Sequence, residues 1–483
     1  TINGLTQGDA QCKDHMNVIF ALTAGGINFY DDADGSTLQG VALQAPQSDA
    51  GVYVNIDDFT LKCSFVQMEA DGSGPVDNLN PSKQLLDINQ NGATIGGPNE
   101  EDGNVFAVSP AIYTVDGLTI QNNTFGYSAD LTNYFGPITV GGYAWQTNLS
   151  IVGNILQGIN AEDDEDVTIS DNYICVNKEV TENICADVPG TGVSVANSSN
   201  VTFDGNYFGS SNAESIKAIN TDNVDISNNY FGVNSSGNTA LQDFTASIGI
   251  KLQGTGELNV SHNVVAGPIG ISVEVLSSEQ TTISNNRVGI GTDDTTSLGA
   301  NLGIMVIASG EKDIVINSNQ VDGSENSGIY IDGSVSDVED IEISNNTIIN
   351  SANDGISVPV AHVFNNTVSG NSNGIYMSGS EGAIHNNISR DNEFNGIAAG
   401  VGTSVYNNEI SGNNFGVDIL GEWGIDADDT VGLLNRPRIL SAKTVGATTE
   451  ISFQLLVDDG EYYLELCYLR TTGNTSECPE ILF

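Results

Sequence analysis

Carboxylates and the few lysines are the residues of this chain whose types and spacing could do chemistry. Hydrolysis of a glycosidic bond needs two carboxyl groups at a set separation, one of them an acid. The candidate pairs are Asp163 with Asp164, Asp222 with Asp225, and Asp293 with Asp294. Elimination on an acidic sugar needs a basic proton abstractor beside cations or Ca²⁺. Between residues 105 and 422 the only bases are Lys178, Lys217, Lys251, Lys312, Arg287 and Arg390. They are scattered along the chain. Lys217 and Lys251 alone sit on one type of strand and could face one groove, although a solvated exterior position is the commoner role. The four histidines, His15, His262, His362 and His385, are also scattered, and they read as turn or surface residues. The acidic runs EDDED (162–166), DDADG (31–35) and DADD (426–429) offer the oxygen ligands that Ca²⁺ takes. Asp163, Asp164 and Asp166 are the calcium candidates, against the commoner reading of solvated acidic loops. No P-loop, nucleophile elbow or zinc signature occurs. No residue is nominated as catalytic.

Composition narrows the setting. The chain has 483 residues, 62 acids, 13 Lys or Arg and a net charge of −49. That charge repels nucleic-acid phosphates and an anionic membrane surface. It suits high-salt solubility or divalent counter-ions. No stretch has the ~20 apolar residues needed to span a bilayer. The chain starts at Thr1 without Met and without a visible signal peptide, which reads as a mature, processed product. Six cysteines fall into three neighbourhoods: Cys12 and Cys63, Cys175 and Cys185, Cys467 and Cys478. Fifteen connectivities are open to six cysteines. Local pairing is expected, which implies an oxidising compartment. Ten N-x-S/T sequons, among them Asn122, Asn148, Asn200, Asn234, Asn345 and Asn474, agree with an outside location. An Asn- and Ser-rich repeat also generates sequons by chance.

The elements that must position these groups come from a repeat. A β-branched, alternating strand ending in Asn recurs, from LTIQNN (118–123) through VTISDN (167–172) and VDISNN (224–229) to SVYNN (404–408). The steps between closing Asn residues are 31, 18, 34, 23, 34, 23, 33, 27, 20, 21 and 21. Steps near 20 are one coil, and longer ones carry a loop. A second strand interleaves, as in GVSVAN (192–197), GIKLQG (249–254) and GIYMSG (374–379). Such short strands cannot bury an apolar face alone. Stacked on the next coil at about 4.8 Å, they pair every backbone group and line up their Ile, Val and Leu. Asn tolerates left-handed backbone at the corners and can form an amide ladder from coil to coil. The expected fold is all-β, a right-handed parallel β-helix over 105–422, with roughly fourteen coils and a length of about 65–70 Å.

The segments NNYFGVNSSGNTALQ (228–242) and NNRVGIGTDDTTSLG (285–299) resemble each other and a repeat of secreted bacterial and archaeal β-helix proteins with the pectate-lyase-like superfold. ATIGGPNEEDGNVF (93–106) resembles the Ile-Gly-Gly-plus-acidic linker of the same group. The resemblance covers about 90–422. It implies the fold and a surface location, while the group itself mixes enzymes with structural and adhesive proteins. Polygalacturonases resemble this body and carry Asn-Thr-Asp, Asp-Asp, Gly-His-Gly and Arg-Ile-Lys motifs. Here NTD occurs at 220–222 and Asp-Asp at 293–294, but the other two motifs are absent.

The ends differ from the middle. Residues 1–104 read as an N-terminal β-rich cap with the first coils, 423–435 as an acidic linker and 436–483 as a small antiparallel β domain. That tail resembles about half of the β-sandwich that follows β-helices in the same group. It is expected either to pack as a cap or to be completed by another chain, which would propagate head to tail. The expected function is a non-enzymatic extracellular structural or adhesive surface protein, with self-assembly into fibres through its terminal segments. Its expected partners are its own copies or an extracellular polysaccharide, with no nucleic acid and no membrane span. Calcium is the one cofactor the acidic runs suggest. The alternative is a polysaccharide lyase or glycoside hydrolase acting on the β-helix face. Tyr207, Phe208, Tyr230 and Phe231 lie near corners, where aromatic rings can stack on sugars or simply pack.

Overall fold

The computed structural model describes residues 1–6, 12–22, 26–30, 32–45, 51–77, 85–112, 116–132, 139–141, 146–182, 184, 192–209, 214–241, 248–309, 313–334, 341–379, 382–400, 402–420, 438–445 and 448–454. The chain winds as a parallel β-helix with three sides. Each regular coil supplies a Gly-Ile strand, an Asn-ended strand and a short third strand. Among the described residues the first two types join a 25-stranded sheet, and the short strands form a 16-stranded sheet. Fifteen steps of ~4.8 Å make the latter about 72 Å long.

Period-two alternation decides which side chains face inward. On the Asn-ended strands Leu38, Leu61, Ile95, Ile120, Ile151 and Ile169 stack in register. All six are buried in one continuous core. On the Gly-Ile strands Ile216, Ile250, Ile271 and Ile304 do the same. Phe106 stacks on Phe125 and Phe208 on Phe231 inside the short-strand side, each pair with ring centroids 4.7 Å apart.

The Asn-Asn corner divides its labour. The first residue takes the left-handed backbone, as Asn122, Asn228, Asn285 and Asn345 do, with φ between 55° and 58°. The second turns inward and is buried. From Asn104 through Asn123, Asn154 and on to Asn408, each such Asn donates both its backbone N–H and its Nδ2–H to Oδ1 of the next. Nδ2 also donates to a main-chain carbonyl of the preceding coil, as from Asn154 to Ile120 at 2.8 Å. The ladder keeps the same sequence steps as the repeat. Left-handed geometry and ladder bonding, expected of one Asn, thus belong to two adjacent residues.

Parallel pairing also runs through the segment where no repeat is visible. Ile2–Asn3 pairs with Thr37–Gln39, which pairs with Thr60–Lys62, which pairs with Thr94–Gly96. Four further strands, Gly26–Phe29, Gly51–Val54, Leu86–Ile88 and Ala111–Ile112, form a small parallel sheet in these first coils. Corners here use Gly40 and Cys63 in the left-handed region instead of Asn, so the motif is missing although the coil is present. Cys63 is joined to Cys12. Cys175 is also disulfide-bonded. Cys185, Cys467, Cys478, Asn474 and the linker 423–435 lie outside the described residues. Of the tail, Arg438–Val445 pairs antiparallel with Thr448–Gln454.

Candidate functional site

Of the carboxylates proposed for hydrolysis, Asp164, Asp225, Asp293 and Asp294 are engaged in structural bonds. Asp163 and Asp166 occupy left-handed corner positions. Asp166 Oδ1 accepts the Asn200 amide at 2.9 Å on the outside of the rod. Asp164 points inward and is buried. Its Oδ1 accepts the Gln146 N–H at 2.8 Å, while its Oδ2 is buried with no partner. Burial, helped by the charges of Asp163 and Glu162, pushes the Asp164 carboxyl up to about 6. The calcium candidates therefore divide between inside and outside. Among the described residues no group of three His, Cys, Asp or Glu side chains is assembled to hold a metal ion. Asp225 accepts the Asn259 amide at 3.0 Å, and burial raises its carboxyl. Asp293 accepts the N–H groups of Thr295 and Thr296 and the Thr296 hydroxyl. The Thr296 bonds hold it near 2. Its neighbour Asp294 pairs with Arg287 at 2.8 Å.

Two places gather basic side chains, each with acidic partners. On the Gly-Ile face Lys217 and Lys251 are direct neighbours in register, as their strand type suggests. Glu214 reaches Lys251 at 3.5 Å. The second place is invisible in the sequence. Lys13 follows the cysteine that is tied to Cys63, and its Nζ donates to the Asn122 carbonyl at 3.0 Å, 109 residues away. Gly103 makes the approach possible, because a Cβ there would lie 1.7 Å from the Asn122 oxygen and 2.9 Å from Lys13 Nζ. Burial lowers the Lys13 ammonium below its ordinary value, and the negative charge of Glu100 opposes the shift. Lys178 pairs with Glu100, and Lys62 with Asp102 at 2.8 Å. Lys13, Lys178, Glu100, Asn122, Asp171 and Tyr173 line a cavity of about 210 Å³. Three of the chain's 13 bases thus meet around one corner of the rod.

The aromatic residues separate by face. Tyr173, Tyr207 and Tyr230 stack along the outside, with centroids 5.6 and 5.0 Å apart. Both faces of Tyr207 are covered by its neighbours, so a sugar cannot stack on it. Phe208 and Phe231 are in the core. Phe364, His385 and Tyr406 form a second outer stack at 5.2 and 4.8 Å. Burial lowers the His385 imidazole, and the nearby His362 adds to the shift. His262 holds a left-handed corner, with φ 57°.

The three-sided coil and its inward Asn ladder agree with the comparison to protein families, in which the family described as "Right handed beta helix region" matches residues 102–348 and 295–427. The chain belongs to that family. This β-helix protein is similar in fold to an exopolygalacturonase from Thermotoga maritima, at 9% identity and a TM-score of 0.25, over 84% of this chain and 94% of that one. It is also similar to the catalytic unit of an α-1,3-glucanase from Streptomyces thermodiastaticus, at 11% identity and a TM-score of 0.25, over 87% and 69%. A surface adhesin of Streptococcus pneumoniae is similar at 12% identity and a TM-score of 0.23, over 87% and 91%. Enzymes and an adhesin stand side by side in this set, and likenesses this distant select no activity. No curated protein matches the chain. No helix among the described residues of the β-helix protein is long and apolar enough to cross a membrane.

Proposed function

We propose that this β-helix protein is a non-enzymatic extracellular structural or adhesive protein that holds its own copies or a polysaccharide. The observation that supports this reading is the use of its reactive groups. Asp166, Asp225, Asp293 and Asp294 each hold a corner, a neighbouring coil or a loop together. Bonds of this kind account for these carboxylates without a catalytic role. The disulfide Cys12–Cys63 suits an oxidising, extracellular setting. The two ends of the rod expose large apolar side chains, Ile19 and Tyr30 at the first coils and Phe394 and Phe415 at the last. Head-to-tail contact between copies would cover both sets.

The test offers purified protein to neutral and acidic polysaccharides while product release is followed, with negative-stain images of the same samples with and without EDTA. The expected result is binding or filaments without products. Loss of the filaments in EDTA would place Ca²⁺ in the contact. Product release abolished by Asp→Asn at 163, 222 or 293 would refute the proposal. The second reading, a polysaccharide lyase or glycoside hydrolase on the rod's face, is favoured by the adjacent Lys217 and Lys251. It requires that Lys217→Ala or Lys251→Ala remove a measurable turnover.

A further inference from the structure

One strip of the rod is regular, uncharged and unpartnered. At the middle of the Asn-ended strands the outward residue is, coil after coil, Thr37, Thr60, Thr94, Thr119, Ser150, Thr168 and Thr202, all in register. They alternate with the buried Leu and Ile ladder, so they face solvent and are half-buried or exposed. None of the seven hydroxyls has a hydrogen-bond partner among the described residues. The corner row beside them behaves differently, with Asn148 donating to Asp116 and Asn200 to Asp166. The strip stops where Asp225 follows Thr202 and accepts the Asn259 amide. Six steps of ~4.8 Å make it about 29 Å long.

We infer that this strip is a docking surface for an extended neutral glycan lying along the rod axis, about one sugar to each coil. The inference rests on the adhesive reading above and names its surface and ligand class. Each coil presents one hydroxyl and, at six of the seven positions, one methyl. The β-branched Thr side chain is stiff at χ1, so little rotamer freedom is lost on binding. An extended β-linked glycan advances by nearly the same distance per sugar and presents hydroxyl and C–H groups at that repeat. The row has no charge in a chain of net charge −49. A polyanion would find no cation in the row and a repelling field around it, whereas a neutral chain is not penalised. A protein partner would call for aromatic or Arg anchors, and the row has none.

The experiment is co-sedimentation of the full chain with insoluble cellulose and chitin, and affinity electrophoresis in soluble neutral glucan, alginate and pectate. Two variant sets change Thr60, Thr94, Thr119 and Thr168 together, to Val in one and to Ser in the other. Val keeps the shape and strand preference and removes the hydroxyls. Ser keeps the hydroxyls. The native chain is expected to bind a neutral glycan, the Val set to lose about tenfold or more, and the Ser set to stay within about threefold. Unchanged binding by the Val set would overturn the strip and leave the adhesive reading standing. Binding of alginate or pectate alone would do the same. Binding of no glycan, with no filaments, would sink both. Thermal hysteresis of ice growth that disappears in the Val set would assign the row to an ordered water lattice and overturn the glycan.

Discussion

Replacing Asp164 by Asn is expected to stabilise the rod at neutral pH and to leave it unchanged in acid. Each buried Asn of the ladder accepts a backbone N–H on Oδ1 and donates from Nδ2 to a carbonyl. Asp164 reproduces only the first half. Its Oδ1 accepts the Gln146 N–H, and its second oxygen, buried and unpartnered, stands where Asn would carry a donor. Burial penalises the ionised carboxylate, helped by the charges of Asp163 and Glu162, so the folded state favours the protonated form. Its carboxyl is raised from 3.8 to about 6. A gap of about two units is about 3 kcal/mol at ~1.36 kcal/mol per unit. The sign follows from proton linkage. Below about pH 3.8 both folded and unfolded chains hold the proton, and the site is not penalised. As the pH rises through 6 the folded state must bury a charge, and that stability is lost. Asp164→Asn removes this dependence, so its advantage should be near zero at pH 3.5 and approach about 3 kcal/mol at pH 7.5. Urea unfolding of both chains across that range, with hydrogen exchange at the Gln146 amide as a local reading, measures the difference. An advantage that does not vary with pH, or a variant less stable than the parent at pH 7.5, would refute the reasoning. The latter result would mean that the charged form is held by a cation.

Asn263→Ala should destabilise strongly, because it strips partners from the Asn229 and Asn286 side chains at once. Two or three buried groups left unpaired at about 1–3 kcal/mol each give about 3–5 kcal/mol, read as a shift in the urea midpoint. Cys12→Ser should cost about 4 kcal/mol from the closed loop of separation 51. It should also free Lys13 from Asn122, which a rise in the Lys13 pKa by NMR would report. In a host that glycosylates sequons, peptide mapping should find Asn387 unmodified, because it is 1% exposed within the ladder. Asn234, whose Oδ1 caps its loop while Nδ2 has no hydrogen-bond partner among the described residues, should be modified.

The rod was legible in the sequence for a physical reason. A coil needs a buried amide at the same corner every turn, so Asn recurs at the coil length from Asn123 to Asn408. Within residues 1–104, read as a β-rich cap with the first coils, the register of each coil was hidden, because Gly40 and Cys63 do the corner's work there and the strands have only two to four residues. Sequence order also pointed correctly to Lys217 beside Lys251, since both occupy the same position of one strand type. It could not reveal the Lys13 cavity. Lys13, Glu100, Asn122 and Lys178 come from different coils, and coil stacking, the Cys12–Cys63 bond and the close approach at Gly103 bring them together. The acidic run 162–166 shows the converse, since Asp164 is buried and Asp166 exposed across one corner, so nearness in sequence did not bring the three calcium candidates to one side.

A coil of this kind leaves little chemistry free. Of its positions, one set faces the core, one carries the amide ladder, and the left-handed corners need Asn, Asp or Gly. The loops 234–239 and 291–296 bond to each other, Thr292 donating to the Ser236 carbonyl at 2.7 Å, so even insertions serve cohesion. What remains free is the outward row of each strand. A single residue type there is repeated at the coil spacing by the same register that builds the core. Such a surface is suited to recognising a repeating partner over a length, because each coil adds one weak, identical contact and the contacts sum along the axis. A cluster of different reactive groups is harder to build on it. That requires several adjacent coils to depart from the repeat together, as they do around Lys13.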